Sequence, residues 1–308
     1  MSTEKERTRI RTAFSHYLSP DLVSRLSASP ENLVLGGEEK EMTFLFCDVR
    51  DFTGISESFR DNPQGLTHLI NRFLTPMTDE ILENKGTIDK YMGDAIMAFW
   101  NAPLDTPDHR KEAANAALGM LVSLEKLNSE LKEEAEEKGQ AFRPLKIGIG
   151  LNTGQCIVGN LGSKQRFDYS VLGDPVNLAS RLEGQTKDYG FPIIAGEDTA
   201  EELEDYALLE LDLIAVKGRQ SASRIYALMG GPDKKSDHDF IALQQQTRSF
   251  LGAYREQKWE EAIALLKDIR ERFPELDRYC SYFGFRIDQY RNNPPPADWD
   301  GVFTATRK

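Results

Sequence analysis

The order of apolar patterns along the 308 residues predicts an α+β fold: a ferredoxin-like antiparallel sheet with helices on one face, plus a small C-terminal helical hairpin. Three observations carry that expectation. Short apolar runs alternate with long segments of helical spacing, in the order strand, helix, hairpin, helix, strand. At 40% hydrophobic residues, a chain of this length can bury one good core and add a smaller unit. A polar break from Gly230 to Ser236 sets residues 239–308 apart.

Each element has its own signal. Residues 1–40 read as an N-terminal helical connector, with Pro20-Asp21 opening a short helix through Leu22, Val23 and Leu26. Met42 to Cys47 reads as a strand, and Leu66, Leu69, Ile70, Phe73, Leu74, Met77, Ile81 and Leu82 then recur at helical spacing. Asn84-Lys85-Gly86 reads as the C-cap, and Thr87 to Tyr91 with Ala95 to Trp100 as a hairpin whose tip is Gly93-Asp94. A second helix is expected from about Asp108 to Lys138. Leu145 to Leu151 is expected to be a strand, turning at Asn152-Thr153-Gly154 so that Gln155 to Gly159 pairs back. Gly173-Asp174-Pro175 opens a further helix, and shorter strands near Phe191 to Ala195, Ala207 to Ile214 and Arg224 to Leu228 complete a domain spanning 41–230. Residues 231–238 read as a linker. Beyond it, Phe250, Tyr254, Trp259, Ala262, Leu265 and Ile269 mark a helical hairpin, followed by an extended, proline-rich tail within 239–308.

Composition narrows the function. A formal charge of −12 argues against nucleic-acid binding, which needs a basic face. No run of about 18 apolar residues occurs, and Cys47, Cys156 and Cys280 are too few and scattered for a disulfide framework or a zinc site. A cytoplasmic protein is expected. His16, His68, His109 and His238 show no ligand spacing, and Tyr279, Tyr282, Phe283 and Phe285 with Trp259 read as packing residues.

The chemistry concentrates in two acidic elements. Asp48, in Phe46-Cys47-Asp48-Val49-Arg50-Asp51-Phe52-Thr53, and Asp94, in Lys90-Tyr91-Met92-Gly93-Asp94-Ala95, each follow or flank an apolar strand. Burying an unpaired carboxylate there is costly, and two such ends on neighbouring strands can hold divalent metal between them. A lone aspartate at a strand end is more often a cap. In Val171-Leu172-Gly173-Asp174-Pro175-Val176-Asn177-Leu178-Ala179-Ser180-Arg181, Asn177 and Arg181 fall at i and i+4 on one helical face, where they can act on one ligand. Alone they would read as surface residues.

Together and in this order, these motifs resemble the catalytic domain of class III adenylyl and guanylyl cyclases, over roughly residues 40–230. The resemblance implies that Asp48 and Asp94 bind two Mg2+ or Mn2+ ions per site, that Phe52 and Thr53 belong to a turn cradling phosphates, and that Asn177 and Arg181 are catalytic. It implies that Lys90 and Ser170 read the purine, a pair that in the family favours ATP, and that Lys217 contacts phosphate. Taken alone, Ser170 is a turn serine and Lys217 a solvated loop lysine. The family's usual glycine is replaced by Asp51, whose side chain is expected to point away or to cap the helix. Residues 161–169 match an arm that reaches a partner subunit, so a homodimer with sites at the interface is implied, together with an upstream sensor or membrane region outside this chain. The implied reaction is ATP to 3′,5′-cyclic AMP and pyrophosphate. A guanylyl cyclase and a catalytically silent nucleotide-binding module are the alternatives.

Overall fold

The computed structural model describes residues 35–216 and 222–305. The helix expected to open at Pro20, most of the N-terminal connector and Lys217 lie outside them. Two compact units emerge: one runs to Lys146 and adds Thr153–Asn177, and the other comprises Ile147–Asn152 and Leu178 onward. Among the described residues no helix is long and apolar enough to cross a membrane.

In the first unit, β1 (Gly36–Val49), β2 (Thr87–Met92), β3 (Ala95–Trp100), the second half of β4 (Ile147–Gly162) and β5 (Phe167–Leu172) form sheet. Their order is β2, β3, β1, β4, with β5 paired to β4. β1 begins six residues before the expected Met42. It runs antiparallel to β3 with Thr43 opposite Trp100 and Cys47 opposite Ile96. The helices α1 (Phe52–Ser58), α2 (Pro63–Glu83) and α3 (His109–Glu137) belong to this unit. Pro63 at the first turn of α2 and the Asn62 side chain, which accepts from the Gly65 N–H at 3.0 Å, start that helix. α3 buries its alanines 113, 114, 116 and 117 with Met120, Leu124 and Leu127, small residues that let the helix lie close to its neighbours. At the end of α2 the left-handed residue is Lys85 (φ 61°), not Gly86. Gly86 is needed for space instead, since a Cβ there would come within 2.6 Å of Ile81 and 2.8 Å of Trp100.

The expected turn at Asn152-Thr153-Gly154 does not form. β4 runs unbroken from Ile147 to Gly162, and the chain reverses at 163–166, where the Ser163 N–H donates to the Arg166 carbonyl at 2.7 Å. Thr153 is tolerated in the strand because its hydroxyl is met by a distant partner. Thr153 is fully buried, its Oγ1 2.8 Å from Thr43 Oγ1, which in turn lies 2.7 Å from His109 Nδ1.

In the second unit, Ile149 to Leu151 of β4 pair in parallel with β6 (Ile193–Gly196). β8 (Ser223–Gly230) pairs antiparallel with β6 and with β7 (Ala207–Val216), and β9 (Phe303–Ala305) adds to β7 in parallel. α4 (Asp174–Tyr189), which starts in the first unit, and the short α5 (Glu197–Ala200) connect strands, and the short α6 (Pro232–Lys235) leads from β8 into the C-terminal helices. The C-terminal hairpin is α7 (His238–Arg255) with α8 (Trp259–Arg272), and α9 (Asp277–Asn292) joins it as a third helix. These helices share one core with the sheet: Phe250, Tyr254 and Phe283 belong to the same buried cluster as Leu182, Leu209 and Ile225. The tail is held too, by Trp299 against Tyr254 and Trp259 and by β9. The aromatic cluster packs as expected except for Phe285, which is 63% exposed.

A buried ion pair anchors this core. Arg286 of α9 donates to Asp212 of β7 at 2.7 Å, both side chains at most 3% exposed. Asp212 also accepts from the Tyr189 hydroxyl at 2.6 Å and the Leu213 N–H at 2.8 Å. The guanidinium lies 3.6 Å from the Phe303 ring centre and 4.5 Å from that of Phe283.

Candidate active site

The pairing of β1 with β3 brings Asp48, just past Cys47, alongside Asp94, just before Ala95. Gly93 makes this possible: Met92 pairs with Ala95 across a two-residue turn, and Gly93 takes φ 70° at its first central position. The two carboxyls face each other closely enough to share a hydrogen bond. Burial, then that hydrogen bond and the charge of Asp48, hold Asp94 up at about 6, against the pull of the Asp94 and Val49 N–H groups. Asp94 Oδ2 is buried with no hydrogen-bond partner. An orphaned oxygen beside a second carboxylate fits a divalent cation, which would satisfy the one and neutralise the other. Among the described residues no cluster of three or more His, Cys, Asp or Glu gathers, so the protein offers this pair and leaves further coordination positions to water or ligand oxygens.

Asp51 follows at the turn into α1. It is the N-cap in a left-handed conformation (φ 55°, ψ 37°) and makes no capping hydrogen bond. Its carboxylate turns outward to an ion pair with Arg143, which was not anticipated. The left-handed backbone is the physical reason a glycine suits this position, and aspartate is among the few other residues that tolerate it. Phe52 is half-buried and Thr53 exposed at the first turn of α1, where backbone N–H groups lack intrahelical acceptors.

Lys90 and Ser170, 80 residues apart in sequence, converge on a third residue that the sequence reading did not single out. Asp89, its side chain 1% exposed, accepts from the Ser170 hydroxyl at 2.5 Å and lies 3.2 Å from the Lys90 ammonium. It sits where β2 carries a bulge between Ile88 and Lys90, a device that redirects side chains. Burial pushes its carboxyl up, opposed by the Ser170 hydrogen bond and the Lys90 charge. A carboxylate beside an expected functional lysine was the available signal, but alternation alone gives no hint of the bulge.

Asn177 and Arg181 lie one turn apart on α4, both exposed. Residues 161–169 form the tip of the β4–β5 hairpin. Next to it Ile157 and Leu172, paired across the two strands, are 48% and 59% exposed. A separate groove lined by α2 and α3, including His68, Arg72 and Glu130, contains none of the expected site residues.

Comparison with known proteins agrees with this arrangement. Residues 36–230 match the family model described as adenylate and guanylate cyclase catalytic domain. The chain is 37% identical over 202 residues to an adenylate cyclase of Anabaena cylindrica, covering 64% of this chain and 38% of that protein. It is 31% identical over 221 residues to adenylate cyclase 1 of Rhizobium meliloti, covering 70% and 32%. The match thus spans roughly a third of these relatives' length. Among solved structures, the adenylyl cyclase CyaB from P. aeruginosa is similar at 34% identity and TM-score 0.56, covering 64% of this chain and 97% of that one. The guanylyl cyclase Cya2 is similar at 30% identity and the same TM-score, covering 64% and 95%.

Proposed function

Since this chain belongs to the adenylate and guanylate cyclase catalytic domain family, we propose that it converts ATP to 3′,5′-cyclic AMP and pyrophosphate at sites shared between two copies. The observation that carries this reading is the facing pair Asp48 and Asp94, with its orphaned buried oxygen. The pair would hold two magnesium or manganese ions. When bound, such ions lower the pKa of the ribose 3′-hydroxyl and offset the triphosphate charge.

The chain's own residues account for the remaining requirements. Lys90 donates to adenine N1, and the Ser170 oxygen accepts from the exocyclic amine. N–H groups of the turn at Phe52 and Thr53 face the β- and γ-phosphates, with Lys217 adding a cation. Asn177 orients the ribose, and Arg181 offsets charge as the 3′-oxygen bonds to the α-phosphorus and the bond to the departing pyrophosphate breaks. Asp48 and Asp94 come from one copy, Asn177 and Arg181 from the other. The exposed apolar pair Ile157 and Leu172 supports a partner surface beside the β4–β5 hairpin. A cytoplasmic signalling context, in which a sensor or membrane region accompanies the catalytic part, is part of this reading; the relatives extend well beyond the matched region.

The test is turnover by the purified chain with manganese and either ATP or GTP. Cyclic AMP formed faster than cyclic GMP is the expected result. The reverse order supports the guanylyl reading, and nucleotide binding without turnover of either supports a silent module.

A further inference from the structure

Asp89 is positioned to do more than fill a bulge. Its buried carboxylate takes the hydroxyl proton of Ser170 and sits beside the Lys90 ammonium, so both expected base-reading side chains are tied to one acceptor. A serine hydroxyl is ambivalent, with one proton to give and lone pairs to receive, whereas an ionised carboxylate only accepts. Once the Ser170 proton points at Asp89, lone pairs are all it offers a ligand. Lys90, 46% exposed, keeps N–H groups free to donate outward.

We propose that Asp89 is a positioning residue that sets the base specificity of the site, by fixing Ser170 as an acceptor next to Lys90 as a donor. This rests on the ATP reading above. Adenine presents an amine donor at C6 and an acceptor at N1, which match that pair. Guanine presents an acceptor at C6 and a donor at N1, and mismatches both. Without Asp89, the hydroxyl is at liberty to rotate and donate to the guanine oxygen.

The test compares kcat/KM for ATP, GTP and purine riboside triphosphate, an ATP lacking only the exocyclic amine, in the wild type, Asp89→Asn and Ser170→Ala. One hydrogen bond read by the site corresponds to about a tenfold preference of the wild type for ATP over the amine-free analogue. In Asp89→Asn the amide can donate to Ser170 and release its proton, so that preference falls to near unity and the preference for ATP over GTP drops by about tenfold. A merely structural role lowers ATP and the analogue together and leaves their ratio intact, and that result overturns the proposal. Should Asp89→Asn not fold, as read by its melting curve, Ser170→Ala decides: an undiminished preference for the amine in that variant also overturns it. A wild type that favours GTP refutes the ATP reading and this inference together. A wild type that favours ATP, with ratios unchanged in the variants, refutes the inference alone.

Discussion

Replacing Arg286 by methionine tests whether the C-terminal helices fold as one unit with the sheet. The substitution keeps most of the apolar stem but removes the charge that Asp212 faces at 2.7 Å, in a place where neither side chain exceeds 3% exposure. Breaking one partner of such a pair costs about 3–5 kcal/mol, because the remaining charge stays buried. Two effects moderate this. Asp212 retains the Tyr189 hydroxyl and the Leu213 N–H as donors, and Arg286 Nε and Nη2 have no hydrogen-bond partners to lose. The aromatic contacts with Phe303 and Phe283 act in the other direction, since they go with the guanidinium. At a urea m-value of about 3 kcal/mol/M for a unit of this size, the midpoint should fall by about 1 to 1.7 M in a single transition. Adding Asp212→Asn, which stays polar toward Tyr189 but carries no charge, should recover part of the loss. A midpoint shift below about 0.3 M would refute the argument from burial. So would a biphasic curve in which only the C-terminal helices melt early, because the shared core would then not be cooperative.

Three further outcomes follow from the site. Asp48→Ala and Arg181→Ala should each be inactive alone and regain activity on mixing, through one repaired site per heterodimer; cyclic AMP assays showing no recovery would argue against shared sites. Asp94, held near 6 in the folded state against an ordinary carboxylate value near 4, binds its proton more tightly folded than unfolded. Its contribution to stability is therefore fully present below about pH 4 and lost as pH rises to about 6, so without divalent cation the melting temperature relative to Asp94→Asn should fall between about pH 4 and 6 and level off above. Added magnesium should remove that fall, and a difference insensitive to both pH and magnesium would count against a cation at the pair. Asp51→Gly relieves a left-handed backbone at the loss of an exposed ion pair with Arg143, worth about 0–1 kcal/mol. Thermal melts should show it neutral to about 1 kcal/mol more stable at high salt, and ATP affinity should not weaken.

The polar side chains that lie between elements show where local reading stops. Thr153 and Asn152 carry turn chemistry, yet Thr153 is held in a continuous strand by Thr43, 110 positions away. Ser170 finds Asp89 across 81 positions, and Asp51 finds Arg143 across 92. No window of sequence contains both members of such a pair. The hairpin tip at Gly93-Asp94, by contrast, was readable, because a two-residue turn with glycine between two strand-like runs is a local signal.

By itself, the sequence determined the order of strands and helices, the spacing of Asn177 and Arg181 on one face, and the presence of carboxylates at the ends of β1 and of the β2–β3 hairpin. All of these follow from periodicities of two and of 3.6 and from turn chemistry, which act over a few residues. Only the tertiary structure decided that β4 runs straight through its turn signal, that Asp51 faces Arg143, that Asp89 joins Lys90 to Ser170, and that the C-terminal helices close the same core as β6 to β8. Except at the exposed Asp51–Arg143 pair, the deciding term is the cost of leaving a buried polar or apolar group without a partner, and in every case the partner comes from elsewhere in the chain.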